Sequence, residues 1–252
     1  MQRVQAGPTV GFAGLVALLA CLDLVAGLDA RAWAVGAGTG CGVALLVGSA
    51  LGLRAAPGGT ERGLGPADRV TLLRAELACA VAALATVAVV DPGRSAAVAA
   101  LVVLAVVALV LDGVDGRVAR RTGTVSAFGA RFDMEVDAYL ILVLSAYVAQ
   151  AAGWWVLLIG AARYLFVAAG HALPWLRGAA PPRPWCKVVA VVQGVALTVA
   201  AAGVLPAGWT RAALVVALLL LAESFGHEAR DLWRVRAAVV PDLRTPELVA
   251  RG

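Results

Sequence analysis

Apolar runs of about twenty residues, the length a helix needs to cross a bilayer, recur from one end of this sequence to the other. In hydrocarbon, backbone N–H and C=O groups must find partners within the chain, so each run is read as a helix. Eight candidate spans fall at 9–28, 32–54, 70–90, 95–117, 126–151, 154–174, 186–204 and 208–227. Composition agrees: 62% of the 252 residues are hydrophobic and 15% are charged, against about 45–50% and 25% in soluble domains. The expected fold is all-α, a polytopic membrane helix bundle.

The net charge of +5 does not imply nucleic acid, because the basic residues stand singly or in pairs between apolar runs and form no stripe. It reads instead as topology. With both termini cytoplasmic, Arg31, Arg94 and Arg211 face outside, Arg163 falls within a span, and the other basic residues face inside. The positive-inside rule thus predicts a multi-pass protein of the cell membrane with cytoplasmic termini. Cys21, Cys41, Cys79 and Cys186 have no paired spacing, so neither a disulfide nor a zinc site is expected. A competing reading of the first span is a signal peptide, since Arg3 precedes a short apolar core ending in Leu18–Cys21.

A Gly-, Pro- and charge-rich stretch, "RAAPGGTERGLGPADR", separates the second span from the third. It divides a two-helix N-terminal unit, 1–56, from a six-helix unit, 66–236, with 237–252 as a cytoplasmic tail. No internal repeat is visible, so an inverted-repeat transporter gains no support.

Between the fourth and fifth spans lies a charged island, "LDGVDGRVARRTGTVSAFGARFDMEVDAYL". A helix continuing past Leu111 carries Asp112, Asp115, Gly116, Ala119 and Arg120 at steps of three and four, on one face. The next helix carries Gly129, Asp133 and Asp137 at steps of four. With Gly123 in a short link, the two are expected to form an antiparallel hairpin at the membrane rim, their aspartates facing. Four carboxylates converging at the edge of hydrocarbon repel unless a cation lies among them. The donors are all oxygen, which suits a hard ion such as magnesium, manganese or calcium, with room for two. Gly116, Ala119 and Gly129 remove bulk where a ligand or a facing helix approaches, and Arg120 offers a bidentate donor for phosphate. The plainer alternative is a solvated loop with ion pairs, a description that fits Arg117, Arg121, Arg131 and Glu135.

The pattern Asp112-x-x-Asp115-Gly116-x-x-Ala119-Arg120, eight residues, Gly129-x-x-x-Asp133-x-x-x-Asp137 resembles the signature of the CDP-alcohol phosphotransferases at every fixed position. The resemblance covers about 66–236, where "GPADRVTLLR" looks like the start of the family's first helix, with Thr71 and Arg74 near the site. It implies a six-helix membrane core, often dimeric, which leaves a homodimer open here. The implied reaction transfers a phosphatidyl or related group from a CDP-linked lipid such as CDP-diacylglycerol to an alcohol, releasing CMP. The implied metal ligands are Asp112, Asp115, Asp133 and Asp137, holding magnesium or manganese, with Asp137 also the base. Asp115, Gly116, Ala119, Arg120 and Gly129 would line the nucleotide pocket. The two N-terminal spans depart from the common plan.

For the acceptor, Arg163, Arg183 and Lys187 are candidates, and the Lys187-to-Gln193 spacing resembles enzymes that make phosphatidylglycerol phosphate. A phosphorylated alcohol, glycerol 3-phosphate or inositol phosphate, is therefore expected. Arg163 either pairs with the aspartate cluster or faces a cavity with Lys187 across from it, while Arg183 and Lys187 also read as inside anchors. His171 and His227 read as polar edge residues, and Trp154, Trp155, Trp175, Trp185 and Trp209 as interfacial belts. A divalent-cation transporter and a non-catalytic membrane scaffold are the alternatives to a transferase. The first would place its acids near mid-membrane, and the second would be expected to lose a motif position.

Overall fold

The computed structural model describes residues 2–54, 65–122, 127–177 and 184–242, for some of them, 114–122 included, the backbone alone. Among the described residues the chain forms α1 (Gln2–Ala26), α2 (Ala30–Arg54), α3 (Pro66–Val90), α4 (Ser95–Thr122), α5 (Ala127–Ala152), α6 (Leu157–Ala172), α7 (Pro184–Ala202) and α8 (Ala207–Asp242). Single 3-10 turns at Trp154–Val156 and Pro174–Arg177 flank α6. Seven of these helices, all but α5, are long and apolar enough to cross a membrane. α5 carries Arg131, Asp133, Glu135 and Asp137 along its first half before its apolar second half begins.

α3 is the hub of the bundle. Its apolar window is 72% buried, while the other candidate spans are 17–33% buried and turn most of their surface outward. The cause lies in its side chains: Ala75, Ala78, Ala80, Ala82, Ala83, Ala85 and Ala88 are all buried. Small side chains let neighbouring backbones approach on every side, the usual way helices associate where lipid is as apolar as the interface. α1, α2, α4 and α5 all pack on it. Its start is defined by Gly65 ahead of Pro66, with the Asp68 carboxylate accepting the Gly65 N–H at 3.0 Å.

The link expected between α4 and α5, at Gly123, lies outside the described residues, while the aspartates of the two helices do face one another. Among the described residues α3 packs extensively against both α4 and α5. Helical periodicity fixes which face a residue occupies, but not which helix that face meets.

Two further contacts tie the bundle together. The turn between α1 and α2 holds Gly27 at φ +61, and the Asp29 carboxylate accepts the Ala32 N–H at 2.8 Å to cap α2. Arg94, from the connection between α3 and α4, donates to the Ala26 carbonyl at 2.9 Å and to that of Gly27, while holding Asp91 at 3.1 Å. At the α5–α6 crossing, a Cβ on Gly160 would stand 2.6 Å from the Leu142 Cα, so only glycine fits there without displacing backbone.

The last helix runs well past the predicted end at 227, to Asp242. Beyond its apolar run the residues are charged but helix-favouring, and Glu223 and His227 pair one turn apart at 2.8 Å. A span predicted from apolarity stops where the charges begin; the helix does not.

Candidate active site

Three aspartates meet at one end of the bundle. α4 brings Asp112 at the close of its apolar run, and α5 brings Asp133 and Asp137 one turn apart on one face. One carboxylate oxygen from each lies within 4.8 Å of the others. The three side chains are 29%, 32% and 28% exposed, so each is partly withdrawn from water yet reachable from it.

Arg74 of α3 lies among them. It is 1% exposed, the largest fully buried side chain among the described residues. Its Nη2 stands 3.1 Å from Asp112 and also donates to Asp137, Nη1 donates to Asp133, and Nε donates to the Ala108 carbonyl at 3.2 Å. The planar guanidinium fork suits this arrangement of several acceptors in a way that a lysine ammonium does not. The hydroxyl of Thr71, one turn earlier on α3, is buried and donates to the Ala67 carbonyl at 3.2 Å.

The charge sum is informative. Three carboxylates and one guanidinium leave a formal −2, which a single divalent cation balances. The donors are all carboxylate oxygens, and their spacing is compatible with a common ion at about 2.0–2.6 Å from each. The residues present therefore fit a hard divalent metal and offer no soft ligand for another kind.

The remaining motif positions are only partly visible. α4 continues unbroken to Thr122, so the backbones of Asp115, Gly116, Ala119 and Arg120 keep helical register with Asp112. Their side chains lie outside the described residues. Gly129 is half-buried on α5, one turn before Asp133 and between the stacked rings of Phe128 and Phe132 in sequence.

The candidate acceptor residues are not brought together. Arg163 on α6 pairs with Glu135 of α5, a partner that neither sequence reading proposed, and its buried Nε has no hydrogen-bond partner among the described residues. Lys187 is exposed near the start of α7, and among the described residues α6 and α7 share no extensive contact. Arg183 lies outside the described residues. Gln193, one turn and a half beyond Lys187, is 3% exposed and its Nε2 finds no partner among the described residues. The neighbouring Gly194 packs on Leu109, nearly one turn before Asp112, which brings α7 close to the helix that supplies that aspartate.

Arg74 is the functional side chain that spacing alone left without a role. The signal was present: an arginine within an apolar stretch is expensive to insert and must have a buried partner. What the sequence did not contain was the partner's identity.

Residues 66–223, from the start of α3 into α8, match the CDP-alcohol phosphatidyltransferase family. No curated protein and no solved structure was found to match the chain. The match leaves α1 and α2 outside it.

Proposed function

The chain belongs to the CDP-alcohol phosphatidyltransferase family, and from that premise we propose a metal-dependent transferase whose acceptor is a phosphorylated alcohol. The coarser reading follows from membership. The protein is an integral membrane enzyme of phospholipid biosynthesis that uses a CDP-linked substrate and an alcohol acceptor. The single observation that supports metal dependence is the convergence of Asp112, Asp133 and Asp137 around buried Arg74, and the phosphorylated acceptor rests on the Lys187-to-Gln193 spacing alone.

In this reading Asp112, Asp115, Asp133 and Asp137 hold magnesium or manganese, with room for two ions. A bound divalent cation would supply charge stabilisation to the pyrophosphate of CDP-diacylglycerol. Arg74 keeps the three carboxylates at fixed separations and offsets part of their repulsion. Asp137 takes the acceptor hydroxyl proton as its oxygen bonds to the phosphorus on the diacylglycerol side. The bond from that phosphorus to the oxygen of CMP breaks, and CMP leaves with the electron pair. An aspartate has an ordinary pKa of about 3.9, so position and partial burial must raise its competence as a base. Asp115, Gly116, Ala119, Arg120 and Gly129 would admit the nucleotide, the small residues by leaving space and Arg120 by binding phosphate.

Lys187, with Arg183 just before it, would serve the acceptor phosphate, and Arg163 would join them on release from Glu135. The buried Nε2 of Gln193, without a partner among the described residues, adds a donor on the helix that carries Lys187. The functional unit is taken as 66–236, preceded by the two-helix unit 1–56 and followed by the tail 237–252. The positive-inside distribution supports the cell membrane, with the site and both termini cytoplasmic. A homodimer is compatible with this reading. The test is CMP release by the purified protein from CDP-diacylglycerol with glycerol 3-phosphate, inositol phosphate, glycerol and inositol, with and without chelator. Preference for an unphosphorylated alcohol would remove the acceptor assignment while leaving the transferase intact.

A further inference from the structure

A second cavity opens at the opposite end of the bundle from the aspartates. Its walls include Ala88 of α3, Tyr147 and Gln150 of α5, Ala200 of α7, and Thr210 and Arg211 of α8, and its volume is about 580 Å³. Ala88 is fourteen residues along α3 from Arg74, and Gln150 is thirteen along α5 from Asp137. At 1.5 Å per residue these offsets are about 20 Å, most of the thickness of a bilayer's hydrocarbon core. The cavity therefore faces the other leaflet.

Its chemistry is lopsided. Arg211 is the one charged residue among the described residues that line it, and this exposed side chain has no ion-pair or hydrogen-bond partner among them. Arg94, at the same end of the bundle, is by contrast committed to Asp91 and to the turn between α1 and α2. Thr210 is tied to its own helix, its hydroxyl donating to the Leu205 and Pro206 carbonyls at 3.4 and 3.3 Å.

From this cavity an apolar groove of about 470 Å³ continues between α7 and α8, sharing Ala200, Leu205 and Thr210 with it. It reaches Val191, nine residues along α7 from Ala200, or about 14 Å. The shape is a cation at the rim, a polar-edged cavity beneath it, and an apolar channel running towards mid-membrane. An acyl chain fits the channel and a phosphate fits the arginine.

We propose that this is a binding site for one anionic phospholipid of the leaflet opposite the aspartate cluster, its phosphate held by Arg211 and one acyl chain lying along the α7–α8 groove. The site is separate from the transferase chemistry, so it stands whether or not the acceptor assignment holds. It would make the enzyme's lipid surroundings on the far leaflet a ligand of the helices that frame its acceptor side.

The experiment uses the full-length protein, stripped of lipid in detergent and titrated with phosphatidylglycerol or phosphatidylcholine, with bound lipid counted by native mass spectrometry. Phosphatidylglycerol should be retained in preference to phosphatidylcholine, and Arg211→Gln should weaken its retention about fivefold, the effect of one basic side chain near an anionic surface. Val216→Trp, at an exposed position lining the groove, should reduce retention with Arg211 still present. Equal binding of the two lipids, or variants that retain phosphatidylglycerol as well as the parent, would overturn the proposal. So would a dimer that Val216→Trp converts to monomer, since a second copy would then be the occupant.

Discussion

Substituting Arg74 by glutamine should expose how the carboxylate cluster is held together. The change keeps a shorter polar side chain but removes the guanidinium that pairs with Asp112, Asp133 and Asp137. At the 3.1 Å separation of Arg74 and Asp112, an effective dielectric of about 20 gives an attraction of about 5 kcal/mol. The carboxylates are about 30% exposed, so water screens part of this. Removing one partner of a buried pair costs about 3–5 kcal/mol, and the partial exposure argues for the lower end. A loss of about 3 kcal/mol corresponds to a Tm lower by roughly 6–12 °C for a chain of this size. The assay is thermal unfolding of the purified protein in detergent, with chelator and again with excess magnesium. The divalent ion should recover most of the loss in the variant and raise the parent's Tm less. Arg74→Lys, which keeps the charge but not the fork, should fall between them. If Arg74→Gln unfolds within 2 °C of the parent, or if magnesium shifts both proteins equally, the guanidinium is not the counter-ion of the cluster.

Chelation should abolish CMP release and magnesium or manganese should restore it; turnover undiminished in excess chelator would end the metal assignment. Asp137→Asn should suppress turnover at least a hundredfold, as expected for loss of a general base at roughly 10²–10⁴-fold, while CDP-diacylglycerol binding persists; Asp112→Asn should weaken both. Lys187→Gln should raise the acceptor KM with kcat little changed, and an unchanged KM would remove Lys187 from the acceptor site. Gly160→Ala places a Cβ 2.6 Å from the Leu142 Cα, and overpacking of this kind costs about 1–3 kcal/mol; the readout is a lower Tm, which a Gly208→Ala control, whose Cβ meets nothing within 4 Å, should not reproduce.

Much of this architecture was legible because bilayer solvation leaves so few options. Most helix ends followed from apolar length to within a few residues, the start of α1 and the end of α8 apart, and the convergence of Asp112 with Asp133 and Asp137 followed from steps of three and four along two helices. The misses share one cause. That α3 lies against both α4 and α5 is a matter of packing, and alanines that permit close approach carry no address for the neighbour they will meet. Arg74 could be placed near the site but not assigned its three acids. The depth of Arg163 in its span demands a partner, yet nothing in the spacing distinguishes that partner, Glu135, from a solvated charge. The continuation of α8 was missed because apolarity reports the bilayer and helix propensity does not end with it.

The alanine-lined α3 also bears on how sequences like this one can drift. The two helices that supply the acids both rest on it, so the gauge between them is set by side chains one carbon long, Ala75 and Ala78 among them. An inherited exchange of either for valine or leucine would touch no aspartate, yet it would wedge the aspartate-bearing helices outward and widen the gap between their carboxylates. Such a lineage would keep every acid of its signature and still fall silent.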